Sequence, residues 1–320
     1  MSPRSKTTVC RLLIIGAPLF FLVSALAMMQ KQEPFYTWFY SFAWWSYLLF
    51  VESFLYSRDL ESLLFNHPAR FLLLLPLSVT IWLIFEVFNF RLQNWHYVYL
   101  PSLRGLRWLG YTIAYATVLP ALFATRNLLD FLGLFREAGN LPVRFVHFQA
   151  HFTGIGVAML ILPMLFPKVF FPFVWLGFVF LLEPFNYSNK APSILRGLEQ
   201  GSSRPLYLLF LSGLLCGVLW EFWNFWAGSK WVYTIPYLGS LKVFEMPIFG
   251  FFGFPPFAVE CYVMANTCFL LMDRIQQRWD SSSVGWLFWI VAGVALAVFD
   301  VLCYLGIDSF TVISFSNVAW

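Results

Sequence analysis

Trp220-Glu221-Phe222-Trp223-Asn224-Phe225 closes an apolar run, Leu206 to Trp226, long enough to cross a bilayer. Glu221 and Asn224 stand three residues apart, so a helix presents both on one face. A related stretch, Phe85-Glu86-Val87-Phe88-Asn89-Phe90, closes an earlier apolar run, and its Glu and Asn each lie 135 residues before their later counterparts. Other signals repeat in the same order. Glu52-Ser53-Phe54-Leu55-Tyr56-Ser57 parallels Glu183-Pro184-Phe185-Asn186-Tyr187-Ser188 at an offset of 131, and Trp95-His96-Tyr97 parallels Trp231-Val232-Tyr233 at 136. Pro101 and Pro120 parallel Pro236 and Pro255, both at 135. One gap in the first loop accounts for the drift. The expectation is two copies of one unit.

Composition sets the class. Of 320 residues, 60% are hydrophobic and 11% charged, against roughly 25% charged in a soluble domain. The mean hydropathy is +0.72. Such a chain cannot cover its surface with polar groups, so an all-α, polytopic membrane helix bundle is expected. The net charge of +4 comes from short loops, which excludes a nucleic-acid partner and leaves the bilayer and its lipids. The five cysteines show no CxxC spacing and no disulfide framework.

Apolar runs predict about nine spans: Leu12–Met29, Phe35–Tyr56, Phe71–Phe90, Tyr111–Thr125, Phe145–Pro167, Val169–Glu183, Leu206–Trp226, Ile248–Met272 and Gly285–Leu305. The organisation is then residues 1–34 as an N-terminal span, 35–144 as a first membrane repeat, 145–168 as a linking span, 169–283 as a second repeat, and 284–320 as a C-terminal span and tail. Ala25-Leu26-Ala27 resembles a signal-peptidase site, so a cleaved leader is the alternative for the first segment. Four spans separate matching elements, which gives the two three-helix repeats the same orientation. Lys and Arg crowd one side of this arrangement, placing the N-terminus in the cytoplasm of a cell whose inner membrane holds the chain.

An ionisable group in mid-bilayer costs about 2.5–3.5 kcal/mol, so those retained mark pairing, a cavity or chemistry. Glu86, Glu221 and Glu260 are the candidate acids. Asn89 and Asn224 are positioned to orient them. Trp220, Trp223, Trp231, Tyr233, Trp95, Tyr97 and Tyr262 are the candidate substrate-binding aromatics, which serve either as an interfacial belt or as the wall of a pocket for an isoprenoid chain. Glu52 and Glu183, at span ends, read as caps. His147 and His151 stand at i and i+4, a metal-compatible spacing, but no carboxylate accompanies them, and a metal is not expected. No Walker loop, dinucleotide fingerprint or nucleophile elbow occurs, and no cofactor is expected.

Glu221, Trp231-Val232-Tyr233, Gly239 and Met246-Pro247-Ile248-Phe249-Gly250-Phe251-Phe252 follow an order that resembles the lycopene cyclase domain family. Glu86, Trp95-His96-Tyr97 and Gly105 follow it in the first copy. The resemblance covers about two-thirds of the chain. It implies paired three-helix membrane repeats and a redox-neutral isomerase of carotenoid biosynthesis. In such an enzyme a neutral carboxylic acid protonates a terminal double bond, aromatics stabilise the cation and a proton then leaves. Related proteins hydrate the same end group. The family's acidic pair after Pro falls here on Phe249 and Gly250, which leaves Glu260 or Glu221 to supply the acid. The expected function is therefore an intramembrane enzyme acting on an isoprenoid, carotenoid or other lipid by acid–base chemistry. The alternative is a transporter or channel built from parallel repeats, with Pro247, Pro255 and Pro256 breaking span eight around its substrate.

Overall fold

A backbone in hydrocarbon has no water to bond, so long apolar runs satisfy themselves as helices. The computed structural model describes residues 3–139, 141–237, 239, 241–279 and 285–316. In chain order it has α1 (Pro3–Met29), α2 (Phe39–Ser57), α3 (Leu63–Asn66) and α4 (Pro68–Leu92), then strands β1 (Trp95–Val98) and β2 (Leu100–Pro101). There follow α5 (Arg104–Tyr115), α6 (Val118–Phe131), α7 (Gln149–Leu165), α8 (Pro167–Phe170), a 3₁₀ turn Phe171–Phe173, α9 (Val174–Ser188), α10 (Ile194–Glu199) and α11 (Arg204–Trp226). The chain closes with β3 (Lys230–Tyr233), β4 (Lys242–Val243), β5 (Met246–Pro247), a 3₁₀ turn Ile248–Gly253, α12 (Phe254–Trp279), α13 (Gly285–Phe310) and β6 (Phe315–Ser316).

Seven of these segments are long and apolar enough to cross a bilayer: Lys6–Met29, Pro68–Leu92, Arg104–Phe131, Pro167–Ser188, Arg204–Trp226, Ile248–Arg278 and Gly285–Phe310. The other two expected spans correspond to α2, with 19 residues, and α7, with 17. At about 1.5 Å per residue these helices reach roughly 25–29 Å, just under the bilayer's apolar core of about 30 Å. The expected polar links Ser57–Arg70 and Asn186–Arg204 each contain a short helix, α3 and α10.

Each short helix is capped in the same manner. Ser62 and Ser193 are N-caps whose hydroxyls accept from the backbone N–H of Phe65 and Arg196. Glu52 Oε2 accepts from Ser62 Oγ at 2.5 Å and from the Leu64 N–H at 3.1 Å. Glu183 Oε1 accepts from Ser193 Oγ at 2.7 Å and from the Leu195 N–H at 2.9 Å. Both carboxylates thus tie the end of one helix to the start of the next.

The segment Arg104–Phe131 is broken between α5 and α6, where Pro120 lacks the N–H a continuous helix needs. Ser78 of α4 patches the break: its hydroxyl donates to the Tyr115 carbonyl at 2.6 Å and accepts from the Leu119 N–H at 3.0 Å. The matching position before Pro255 is treated differently. Gly213 of α11 lets the Phe254 carbonyl approach so closely that an added Cβ would stand 2.4 Å from that oxygen. Gly213→Val should therefore force α11 from α12 and cost about 1–3 kcal/mol, read as a lower apparent Tm of the detergent-solubilised protein.

The core is aromatic. Trp44, Phe85, Trp220, Trp223 and Phe257 are buried in one cluster. Trp44 meets Trp223 edge-on at 4.6 Å between ring centroids, and Trp82 meets Trp220 at 5.1 Å. At one end of the bundle β1 and β3 pair antiparallel, with Trp95 opposite Tyr233 and Tyr97 opposite Trp231. This two-stranded ribbon closes over the helix ends. The chain after α13 straps onto it: the Tyr97 N–H donates to the Thr311 carbonyl, Ile313 N–H donates back to Tyr97, and β6 lies parallel to β2.

Candidate functional site

Glu86 and Asn89 lie on one face of α4, and Glu221 and Asn224 on one face of α11; all four are fully buried. Each asparagine holds its own strand of the ribbon. Asn89 Oδ1 accepts from the N–H groups of Asn94 and Trp95 at 2.8 and 3.3 Å, and its Nδ2 donates to the Trp95 carbonyl at 2.9 Å. Asn224 Oδ1 accepts from the Trp231 N–H at 3.0 Å, and its Nδ2 donates to the Trp231 carbonyl at 2.9 Å. Side chains two apart share one face of a strand, so Trp95 and Tyr97, with Trp231 and Tyr233, all turn towards the helices.

That face meets the carboxyls. Glu86 Oε1 accepts from Trp82 Nε1 at 3.0 Å, Trp95 Nε1 at 3.0 Å and the Tyr97 hydroxyl at 2.5 Å. The Tyr115 hydroxyl donates onward to the Tyr97 oxygen at 2.8 Å. Glu221 Oε1 accepts from the Tyr233 hydroxyl at 2.8 Å, and Trp231 Nε1 donates to the Tyr233 oxygen at 2.9 Å. Oε2 of each glutamate is buried and has no partner among the described residues. Burial pushes the Tyr97 and Tyr233 phenols well up, and the adjacent carboxylates add to the shift, so both hydroxyls keep their protons at physiological pH.

Beneath the ribbon lies a cavity of about 400 Å³, within the size range of small-molecule sites. Trp82, Trp95, Trp175, Trp220, Trp231 and Phe257 form its aromatic walls, and Tyr97, Tyr111, Tyr115 and Tyr233 bring hydroxyls to it. Glu86 and Glu221 stand behind this layer; their contact with the cavity runs through Tyr97 and Tyr233.

Of the expected aromatics, Trp95, Tyr97, Trp220, Trp231 and Tyr233 line the cavity, while Trp223 packs on Trp44, and Tyr262 packs on a smaller cluster of Ile194, Leu209, Val259 and Val263 and meets Phe123 at 6.3 Å. Glu260 is buried where α12 crosses α9, its Oε1 accepting from the Phe178 N–H at 2.7 Å, and it does not line the cavity. His147 and His151 are exposed, and among the described residues no group of three His, Cys, Asp or Glu side chains could hold a metal.

The sequence reading missed an ion pair at the cavity wall. Arg107, which lines the cavity, donates through Nε and Nη2 to Asp308 Oδ1 and Oδ2 at 2.7 and 2.6 Å. Its Nη1 donates to the carbonyls of Pro101 and Ser102 at 2.8 and 3.1 Å. Trp108 Nε1 and the Tyr111 hydroxyl complete the shell of Asp308 at 3.0 and 3.1 Å. Trp82 was missed too, although it lies four residues before Glu86, where a helix brings the two together.

No family model, curated protein or solved structure matches this chain. The fold and site define a helical chain suited to a bilayer, with an aromatic cavity at one end.

Proposed function

We propose that this protein is an intramembrane enzyme that performs redox-neutral acid–base chemistry on an isoprenoid or other apolar lipid. One observation carries the proposal: two buried glutamates each reach the wall of a single aromatic cavity through a tyrosine hydroxyl. With Glu86 protonated as the acid, the Glu86–Tyr97 hydrogen bond reverses: the carboxyl gives its proton to the Tyr97 oxygen while Tyr97 gives its own proton to a double bond of the substrate. The cation so formed lies among tryptophan faces, whose quadrupoles stabilise positive charge. Loss of a proton from an adjacent carbon, taken up by Tyr233 as it returns its own to Glu221, makes the product neutral; Glu221 then releases one proton and Glu86 regains one before the next turnover. No electron is gained or lost, and each step is a proton transfer between groups within reach. The likeness to the lycopene cyclase domain family supports this reading, with the Glu–Tyr pairs standing in place of the acidic pair absent at Phe249 and Gly250.

The protein consists, on this reading, of two copies of one unit in the same orientation, α2 to α6 and α9 to α12. The matching Glu–Ser caps, the matching Asn–ribbon bonds and the matching Glu–Tyr contacts support it, as does a ribbon register that pairs each Trp with the other copy's Tyr. The N-terminus lies in the cytoplasm and the ribbon on the far side of the inner membrane, in keeping with the excess of Lys and Arg at the opposite end.

Glu86→Gln and Glu221→Gln test the proposal without disturbing the fold, because Oε1 is kept and the amide nitrogen replaces an oxygen that has no partner. Lipid extracts of cells expressing either variant should show product reduced about 10²–10⁴-fold, the usual worth of a general acid or base. Wild-type lipid profiles in both variants would reject it. Uptake of a solute into sealed vesicles, lost in the same variants, would replace it with transport.

A further inference from the structure

The cavity is built with more carboxyl groups than cations. Arg107 and Lys230 are the only Lys or Arg side chains that line it among the described residues, and each is matched by a carboxylate. Arg107 is held bidentate by Asp308, and Lys230 Nζ sits 2.6 Å from Glu245 Oε1. Glu86 and Glu221 have no such match. Both are fully buried, and neither makes an ion pair among the described residues. Their donors are neutral: two indole N–H groups and a phenol for Glu86, a phenol for Glu221. Lys242, beyond Glu221, is exposed and rests its Nζ on the Tyr233 carbonyl at 3.3 Å. A buried negative charge is costly until a counter-charge is brought to it.

The walls suit a cation that carries no hydrogen-bond donors. Their rings meet in corners rather than in stacks: Trp220 stands at 83° to Trp231, and Phe257 at 88° to both Trp82 and Trp175. Ring faces set at right angles around a space surround a rounded cation with their negative quadrupoles, the arrangement that recognises quaternary ammonium. Trp82 and Trp95 also give their N–H groups to Glu86, which polarises their rings and strengthens that field. Hydrogen-bonding capacity is largely used. The hydroxyls of Tyr97, Tyr111, Tyr115 and Tyr233 donate to Glu86, Asp308, Tyr97 and Glu221, and the oxygens of Tyr97 and Tyr233 accept from Tyr115 and Trp231. A primary ammonium has three N–H donors to satisfy and would be left short, whereas a trimethylammonium has none.

The space opens near the edge of the bilayer. Phe249 and Phe252 line the cavity while 63% and 73% exposed, and they lie at the start of the spanning segment Ile248–Arg278. The ends of a span stand at the level of the lipid headgroups, where a soluble cation and the head of a lipid both have access.

We infer that the cavity binds a quaternary ammonium group, boxed by tryptophan faces and countered in charge by Glu86 and Glu221 behind Tyr97 and Tyr233. This goes beyond the enzyme reading and does not depend on it. Walls that shelter a transient cation also hold a permanent one.

The test is equilibrium dialysis of labelled choline against the full chain in dodecyl maltoside, an uncharged detergent without choline. The competitors are 3,3-dimethylbutan-1-ol, the carbon isostere of choline, and ethanolamine, its primary amine. Choline should bind saturably and about tenfold more tightly than either competitor, a margin within reach of a desolvated cation–π site. In Glu86→Gln and in Glu221→Gln choline should weaken about fivefold, the effect of one charge lost behind a tyrosine. The alcohol should keep its affinity in both variants, which also reports an intact cavity. Trp175→Leu removes one ring face and should weaken choline about threefold more than the alcohol. Dihexanoyl phosphatidylcholine separates the two sources. Displacement of choline at concentrations below choline's own Kd assigns a lipid headgroup, and displacement only above it assigns a free cation; either upholds the inference. Alcohol binding as tight as choline, tighter binding of ethanolamine, no saturable choline binding, or full choline affinity in both glutamine variants would overturn it. The enzyme reading stands or falls on the lipid extracts, which choline binding does not touch.

Discussion

Arg107→Ala should lower the apparent Tm by roughly 4–8 °C, read by thermal unfolding in detergent. The side chains of Arg107 and Asp308 are only 6% and 11% exposed. Truncating the arginine leaves Asp308 with two neutral donors, Trp108 and Tyr111, in place of a cation. Removing one partner of a buried pair typically costs about 3–5 kcal/mol, because the remaining charge is stranded. The pair also joins α5 to α13, and two carbonyls of the β2 segment lose the guanidinium that bridges them. The strap after α13 should therefore loosen, with faster amide exchange at Tyr97, whose N–H donates to the Thr311 carbonyl, and at Ile313, whose N–H donates to the Tyr97 carbonyl. Arg107→Met with Asp308→Leu should recover most of the loss, since apolar replacement of both partners is often neutral. A single variant within a degree of the unsubstituted protein would mean that the ion pair does not fasten the strap.

What could be read from the sequence was local, and what could not be read was distant. Glu86 with Asn89 and Glu221 with Asn224 were legible because helical spacing fixes a shared face whatever surrounds it. The rings of Trp95-His96-Tyr97 were legible as a group but not as a strand. Four residues between helices give too short an alternation, and the ribbon forms only by pairing with Lys230–Tyr233, far along the chain. Glu260 shows the limit of an argument from cost. An acid in mid-span must have a reason, but a bond to the Phe178 N–H at a helix crossing is as good a reason as a cavity, and composition does not separate the two. Arg107 and Asp308 lie 201 residues apart, beyond any periodicity. Their pairing also explains why hydropathy ended the last span at Leu305 while the helix runs to Phe310: Asp308 looks like an exit from the membrane until its partner is known.

Asn89→Ala should detach β1 and do so more severely than Asn224→Ala detaches β3. Asn89 satisfies two N–H groups and one carbonyl at a chain reversal that is buried and has a non-glycine residue, Gln93, at φ 55°. Each buried backbone group left without a partner costs about 1–3 kcal/mol, so the loss should reach several kcal/mol. Asn224 satisfies one N–H and one carbonyl, both on Trp231, which is less deeply buried than Trp95. The consequence for the site is larger than the stability change alone. Trp95 Nε1 and the Tyr97 hydroxyl are two of the three donors to Glu86, and both ride on β1. A strand free to shift takes the tyrosine from the carboxyl, so any chemistry that needs the Glu86–Tyr97 contact should fall in Asn89→Ala as far as in Glu86→Gln. Hydrogen–deuterium exchange over residues 94–98 distinguishes the two: rapid exchange is expected in Asn89→Ala and native protection in Glu86→Gln. Full protection in Asn89→Ala would show that the antiparallel partner β3 holds β1 in place without the asparagine.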